Sequence, residues 1–163
     1  MAKIQSRLAR IEDAEQIAEL LRRSIVELCV ADHRNRKEVL DAWLENKTAA
    51  NVGEWIRNPA NIMILATIEG QIAGVGCLRR DGHVILNYVA PRFRFRGVSK
   101  SLITILERSA LELGVGSLRL ESTKTAHRFY GAAGFSDAGP AETKHGMPTY
   151  PMTKQLSQGA SAN

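Results

Sequence analysis

The chain has 163 residues, of which 44% are hydrophobic and 24% are charged, as in an ordinary soluble globular protein. This length leaves no room for a second catalytic domain, and the composition excludes a collagen-like, disulfide-rich or largely disordered protein. Lysine and arginine outnumber aspartate and glutamate by 22 to 17, and the net charge of +5 favours an anionic ligand, such as a nucleotide cofactor or a nucleic acid, or serves solubility alone.

The chain lacks the sequence features of a membrane or exported protein. Its longest apolar stretch covers 62–66, far short of the roughly 20 residues that cross a bilayer, and its first residues lack the apolar core of a signal peptide. We therefore expect a cytoplasmic protein with no membrane partner. Cys29 and Cys77 lack the paired spacing of a zinc or redox site, so we expect two buried, reduced thiols and no metal.

One strand and three helical stretches are predicted before the central sheet. Residues 3–10 have the pattern of a short strand, and Asp13 with Gln16 predicts a capping box for the first helix. A second helix is predicted over 36–47, and a short third helix ends before Pro59, which cannot continue it.

From residue 62 onward, the spacing of apolar residues changes from the pattern of helices to that of strands. Turns at Gly70 and Gly82 separate three strand-like segments, which predicts an antiparallel meander: 62–69, 72–79 and 83–89. The remaining predicted elements are an amphipathic helix over 98–113, a strand over 117–122, a short helix over 125–133 and two strands that begin near 134 and 150. We predict one α+β domain over 1–156, with an open mixed sheet of about seven mostly antiparallel strands, helices on both faces and a disordered tail over 157–163.

The segment between the third strand of the meander and the long helix has the features of a pyrophosphate-binding loop. A helix N-terminus that follows a strand presents several backbone N–H groups and the positive end of the helix dipole to an anion. Gly97 permits close approach of the backbone, and four nearby cations can neutralise phosphate charge: Arg92, Arg94, Arg96 and Lys100. The same residues also suit an ordinary βα connection or an RNA patch. Because no nucleic-acid-binding module matches the rest of the chain, we expect no nucleic-acid partner.

This loop resembles the acetyl-CoA-binding loop of the GNAT superfamily of N-acetyltransferases, whose pattern is V-x-P-x-x-R-G-x-G-x-G-x-x-L. The chain matches that pattern at five positions: Val89, Pro91, Arg94, Gly97 and Leu102. Phe95 replaces the first motif glycine and Ser99 replaces the last, so the side chain of Phe95 must point away from the cofactor. The shorter signature Q/R-x-x-G-x-G/A can start at Arg92 or at Arg94. We prefer Arg92, although both registers lay the same backbone against the pyrophosphate.

A second segment, STKTAHRFYGAAGF, resembles the family's late motif N-x-x-A-x-x-F-Y-x-x-x-G-F. It matches at five positions: Ala126, Phe129, Tyr130, Gly134 and Phe135. Thr123 takes the place of the motif asparagine and keeps a hydroxyl for the pantetheine arm. Two separated motifs in the family's order extend the resemblance over nearly the whole chain. The resemblance implies acetyl-CoA as co-substrate and the following cofactor-binding residues: Tyr88, Val89, Arg92, Arg94, Phe95, Arg96, Gly97, Val98, Ser99 and Thr123.

The resemblance also implies direct attack of a primary amine, from a small molecule or a peptide, on the thioester in a ternary complex without a metal. We predict Tyr130 as the general acid, because a tyrosine keeps its proton until about pH 10, although it can equally be a packing residue. The base candidates are His83, which can also be an exposed turn residue, and Glu121. Three residues between the first two helices lie in a region where the family usually builds its acceptor pocket, although charges at helix ends are commonly just solvated: Glu27, Asp32 and His33.

Two other interpretations are compatible with the sequence. The chain can be a non-catalytic acetyl-CoA-binding or protein-interaction module on the same fold, or, with less support, it can acetylate an RNA-linked amine. A homodimer is compatible with either activity.

Overall fold

The computed structural model describes residues 2–157 of the chain. These residues form eight strands and six helices in the following order: β1 (Ile4–Leu8), α1 (Ala14–Leu28), α2 (Val30–His33), α3 (Lys37–Leu44), α4 (Ala49–Arg57), β2 (Asn61–Ile68), β3 (Gln71–Arg79), β4 (Val84–Val89), α5 (Val98–Glu112), β5 (Ser117–Ser122), α6 (Lys124–Ala132), β6 (Ser136–Asp137), β7 (Glu142–Lys144) and β8 (Met147–Gln155). The structure adds two elements to the predicted order, α2 and β7, which are too short to produce a periodic pattern.

The strands form two antiparallel sheets. The first has the order β1-β2-β3-β4, and the second has the order β5-β8-β6, with β7 paired to another part of β8. β4 and β5 meet in parallel at a bridge between His83 and Arg119. The predicted α+β fold of mixed, mostly antiparallel strands is confirmed, and the sheet is divided into two at this bridge.

Helices α1 and α5 cover the first sheet. Successive residues of β3 face opposite sides, so that Gly74 and Gly76 face α5 while α1 contacts β3 from the other side. A Cβ on Gly74 would lie 2.6 Å from Cγ1 of Val98, and one on Gly76 would lie 3.3 Å from Cδ1 of Leu106. The two glycines therefore allow α5 to lie directly on the strand, which places the start of α5 beside the end of β4.

A second, smaller core joins the end of α1 to α3 and to the start of β8. Its buried members are Ile25, Cys29, Val39, Trp43 and Met147. The ring of Tyr88 in β4 packs against both this core and the main core. This cluster holds the segment from α1 to α3 over the end of β4, where the candidate site lies.

The predicted capping box at the start of α1 is wrong. The Asp13 side chain makes no capping bond to α1; its carboxylate accepts two hydrogen bonds from the Arg7 guanidinium, at 2.8 and 2.9 Å, and one from the Arg10 backbone N–H at 2.7 Å. The Arg7 guanidinium lowers the pKa of Asp13. A bidentate hydrogen bond between charged groups is stronger than a neutral helix cap. Asp13 therefore connects β1 to the turn that precedes α1.

The remaining sequence predictions on the fold concern the thiols, the membrane and the C-terminal tail. Cys29 and Cys77 are both buried and free, as predicted. Within residues 2–157, no helix is long and apolar enough to cross a membrane. The tail predicted to be disordered over 157–163 lies outside the described residues from position 158 onward.

Candidate active site

A cleft opens between β4 and β5 because the two strands pair only briefly in the described chain. The Arg119 backbone N–H donates to the Gly82 carbonyl at 3.0 Å, next to the bridge with His83, and no further ladder connects the two strands within residues 2–157. β4 also carries a bulge at Ile85, since Leu86 pairs with Cys77 while Val84 pairs with Leu78. Bulges bend a strand and strengthen its twist, which turns β4 away from β5.

The cleft contains a cavity of about 190 Å³ that is lined by five helices and strands and their adjoining loops. The lining combines the end of α1, the whole of β4, the start of α5, the end of β5 and one side of α6: Ser24, Leu28, Cys29, Val84, Ile85, Leu86, Asn87, Tyr88, Val89, Ser99, Leu120, Glu121, Thr123, Thr125, Ala126 and Tyr130. The cavity thus brings together residues from the two separated sequence motifs.

The loop before α5, residues 94–97, has two left-handed backbone positions. Gly97 has φ = 79°, and a Cβ built there would meet nothing within 4 Å, so space is open beside it. Phe95 has φ = 63°, and its residue surface is 90% exposed. The side chain at the first motif glycine therefore points into solvent, as the sequence required. A left-handed backbone is natural for glycine and strained for phenylalanine, which explains the glycine in the family pattern.

The backbone N–H groups at the start of α5 are free to bind an anion. The Ser101 N–H donates to the Gly97 carbonyl at 3.0 Å and closes the first turn. Within the described residues, the N–H groups of Val98, Ser99 and Lys100 have no acceptor. Free N–H groups at a helix N-terminus that follows left-handed residues form an anion-binding concavity.

Three arginines in or next to this loop pack against two phenylalanine rings. The guanidinium of Arg94 lies 4.3 Å from the ring centre of Phe95, and that of Arg92 lies 4.9 Å from the ring centre of Phe93. Arg96 also approaches Phe93, at 5.6 Å. None of these arginines has a carboxylate partner in the part of the chain that the structure describes, so all three remain available to a phosphate.

Tyr130, from the second motif, is buried beside the cavity. Its ring contacts those of Phe129 and Phe135, with centres 5.2 and 5.4 Å away, and only 7% of its surface is exposed. Burial raises the pKa of the Tyr130 hydroxyl to about 12, and a hydrogen bond from Asn87 acts in the opposite direction. Because the pKa is raised, the hydroxyl keeps its proton throughout the neutral range, and it gives that proton up only to a base that the same burial destabilises, such as a desolvated thiolate.

Asn87 is a site residue that the sequence analysis missed. It lines the cavity from β4, and its side-chain oxygen Oδ1 is buried without a hydrogen-bond partner among the described residues. Buried polar atoms are seldom left unpaired, because desolvation without a new hydrogen bond is costly. The available signal was a single amide in an otherwise apolar strand, VILNYV.

The two base candidates, His83 and Glu121, lie together. Nε2 of His83 is 3.1 Å from Oε1 of Glu121, across the narrow end of the cleft. Glu121 lines the cavity, whereas His83 contacts it only through Glu121. The Glu121 side chain is 38% exposed and that of His83 is 19% exposed, so the pair connects the cavity with solvent.

Two of the three residues predicted near the acceptor pocket have structural partners. The Asp32 carboxylate accepts hydrogen bonds from the N–H groups of Lys124 and Thr125, at 2.6 and 3.2 Å, and from the Thr125 hydroxyl, and so caps α6. The fully buried His33 ring bonds the Ile25 carbonyl through Nε2 at 2.9 Å. Neither side chain lines the cavity. Both side chains are held by partners within the fold, and their place near an acceptor pocket stays a prediction.

The third residue, Glu27, pairs with Arg23 at 3.1 Å on the exposed side of α1 and also lies outside the cavity.

Thr123 lines the cavity, and its hydroxyl oxygen accepts the Ala126 N–H at 3.2 Å as the cap of α6. Its hydroxyl proton remains available to a ligand. Across residues 2–157, no cluster of three or more His, Cys, Asp and Glu side chains is placed to hold a metal ion.

Solved structures with this arrangement cover nearly the whole chain. A GCN5-related N-acetyltransferase from Rhodopseudomonas palustris has a TM-score of 0.84 and 26% identity, with 96% of this chain and 98% of that chain covered. The PaiA N-acetyltransferase from Thermoplasma acidophilum, in complex with coenzyme A, has a TM-score of 0.80 and 20% identity, with 94% of this chain and 99% of that chain covered. YncA from Salmonella typhimurium, with its cofactor acetyl-CoA, has a TM-score of 0.73 and 15% identity, with 95% of each chain covered.

A family model assigns the chain to the same family. Comparison with the curated proteins returns no match. The family model of the acetyltransferase (GNAT) domain matches residues 29–156, which include both motifs and every residue of the cavity lining except Ser24 and Leu28. The chain therefore belongs to the GNAT family of acetyltransferases.

Proposed function

We propose that the protein is an acetyl-CoA-dependent N-acetyltransferase that moves an acetyl group to a primary amine of a small molecule or peptide. One observation carries this proposal: Ser99, beside the free N–H groups of the loop, and the proton-bearing Tyr130 line the same cavity. A pyrophosphate held at the loop directs the rest of the coenzyme along β4 towards Tyr130. The coenzyme bound in two neighbours of the same fold supports this placement.

The proposed coenzyme site uses backbone more than side chains. The free N–H groups of Val98 and Ser99 bind the pyrophosphate, and the exposed arginines offset its charge. The edge of β4 at Tyr88 and Val89 faces the cleft, where it can pair with the amides of the pantetheine arm. The Thr123 hydroxyl donates to the same arm from the opposite side.

The proposed reaction forms a C–N bond and breaks a C–S bond. The amine lone pair attacks the thioester carbonyl carbon, and the sulfur leaves as a thiolate that takes the proton of the Tyr130 hydroxyl. The nitrogen loses a proton as the amide forms, and that proton restores the hydroxyl of Tyr130. The products are the N-acetylated amine and the free thiol of coenzyme A.

The amine must first lose a proton, because an alkylamine with a pKa near 10.4 is neutral in only about one molecule in 2,500 at pH 7. Leaving this step unassisted would cost about 4–5 kcal/mol. We assign the proton to Glu121, which lines the cavity, and from there to its hydrogen-bonded neighbour His83. The pair replaces the single base that the sequence left undecided.

The decisive experiment is a panel of primary amines, amino acids and peptides incubated with acetyl-CoA. Thiol release is recorded after subtraction of basal hydrolysis, and mass spectrometry identifies the amide. Acetylation of at least one amine is expected. If acetyl-CoA binds but no member of the panel is acetylated, the alternative of a non-catalytic acetyl-CoA-binding module is favoured.

A further inference from the structure

The cavity carries a negative charge and no positive one. Among its lining residues in the described chain, Glu121 alone has a formal charge. The basic side chains nearest in sequence do not line the cavity: Lys124 is exposed, Arg119 pairs with Asp81 at 3.0 Å, and Arg23 pairs with Glu27 at 3.1 Å. A ligand group that enters the cavity therefore meets a carboxylate without meeting a cation.

A second acceptor lies in the same cavity. Oδ1 of Asn87 is buried and has no partner within residues 2–157. The Asn87 side chain lies beside Tyr130 and lowers the pKa of its hydroxyl. Because Oδ1 of Asn87 has no partner in the described chain, it is free to accept a hydrogen bond from a ligand. The oxygens of Glu121 and Asn87 are thus both hydrogen-bond acceptors, and a primary ammonium group has three N–H donors.

We propose that the acceptor is a small primary amine whose amine-bearing carbon carries no carboxylate, and that Glu121 enforces this choice. This inference rests on the proposed function. An ammonium in the cavity donates to Glu121 and to Asn87. An α-amino acid would place its own carboxylate beside Glu121, and no lysine or arginine among the described lining residues would offset the repulsion between the two like charges.

The test compares amines with the amino acids that differ from them by one carboxylate. The pairs are tyramine with tyrosine and 2-phenylethylamine with phenylalanine, and tyrosine methyl ester supplies the bulk of the carboxylate without its charge. Initial rates of thiol release give kcat/KM for each compound. Binding of each compound to the protein saturated with coenzyme A, measured by calorimetry, gives a readout that does not need turnover.

We expect kcat/KM and binding affinity to be at least about tenfold higher for each amine than for the matching amino acid. Tyrosine methyl ester should have values close to those of tyramine. Glu121→Gln should narrow the affinity ratio to about threefold or less. Glu112→Gln, on the exposed end of α5, removes the same charge elsewhere and should leave the ratio unchanged.

The outcomes separate this inference from the proposed function. Equal or faster acetylation of the amino acids would overturn the inference and leave the N-acetyltransferase assignment intact. An amine preference that Glu121→Gln does not change would also overturn it, because Glu121 would not be its cause. Failure of both series, with the wider amine panel also inert, would overturn the inference and the proposed function together.

Discussion

The two ends of the cleft differ in how they present polar groups. The loop at 94–97 and the start of α5 are exposed and positively charged, and they offer backbone N–H groups. The opposite end is partly buried and carries acceptors and a proton donor on side chains: Asn87, Glu121 and Tyr130. Backbone geometry survives many substitutions, whereas a buried side chain cannot be exchanged without loss of its group. Phe95 illustrates the first case, since it occupies a motif glycine position and still leaves the loop open.

The comparison predicts that the loop end fails when its backbone space is filled. Gly97→Glu should weaken acetyl-CoA binding about 1,000-fold, because it adds a negative charge and a side chain beside the pyrophosphate. Thermal shift with acetyl-CoA measures the loss. Gly114→Glu is a matched control, since Gly114 also has φ = 79° and open space around it but lies at the far end of α5. Equal loss of binding in the control would refute the loop assignment.

At the buried end, loss of one side-chain oxygen should affect chemistry and not coenzyme binding. Tyr130→Phe should lower kcat about 100-fold while the Kd of acetyl-CoA stays within about twofold, because only the proton donor is removed. Steady-state rates and calorimetry separate the two quantities. Tyr150→Phe removes a hydroxyl from the half-exposed Tyr150 of β8 and serves as the control. Unchanged kcat in Tyr130→Phe would reduce Tyr130 to a packing residue.

Substitutions of Glu121 and His83, the two residues assigned to remove the amine proton, should lower activity to different degrees. Glu121→Gln is expected to lower kcat/KM about 30-fold, because the group that faces the cavity can no longer take the amine proton, and His83→Asn about fivefold. The double variant should lose little more than Glu121→Gln alone, since the two residues act in sequence. Initial rates for all three variants measure this coupling. Fully additive losses would mean that His83 and Glu121 act separately.

The smallest effect is expected from restoring the family glycine. Phe95→Gly relieves a left-handed phenylalanine but adds freedom to the unfolded chain, and these two contributions are each about 1 kcal/mol and opposite in sign. Acetyl-CoA affinity should change by less than about threefold, because the loop acts through its backbone. Thermal unfolding and acetyl-CoA titration measure both quantities. A tenfold or larger change would show that the exposed Phe95 ring itself contacts the coenzyme.

The features that sequence reasoning predicted well are local along the chain. The long amphipathic helix was predicted over 98–113 and is observed at Val98–Glu112, and the meander appears as β2, β3 and β4. Apolar periodicity and turn residues act over a few positions, so they can be read without knowing the fold. The short elements α2 and β7 were missed because three or four residues carry no period.

Some acidic side chains have partners that the sequence could not indicate. Asp32 is the clearest case, since its carboxylate caps α6 more than ninety positions later, through Lys124 and Thr125. Its residue type and neighbours along the sequence carry no sign of that contact. Asp13 likewise prefers the Arg7 guanidinium of β1 to the helix that follows it.

By itself, the sequence determined the family, the order of the main elements and the loop around Gly97, because each depends on residues close together in the chain. Only the tertiary structure decided that His83 of the β3–β4 turn meets Glu121 of β5, and that Asn87 stands beside Tyr130 with an unpaired oxygen. These contacts arise where two sheets separate at a single bridge. Their geometry depends on how the bulge at Ile85 and the packing of α5 on Gly74 open the cleft.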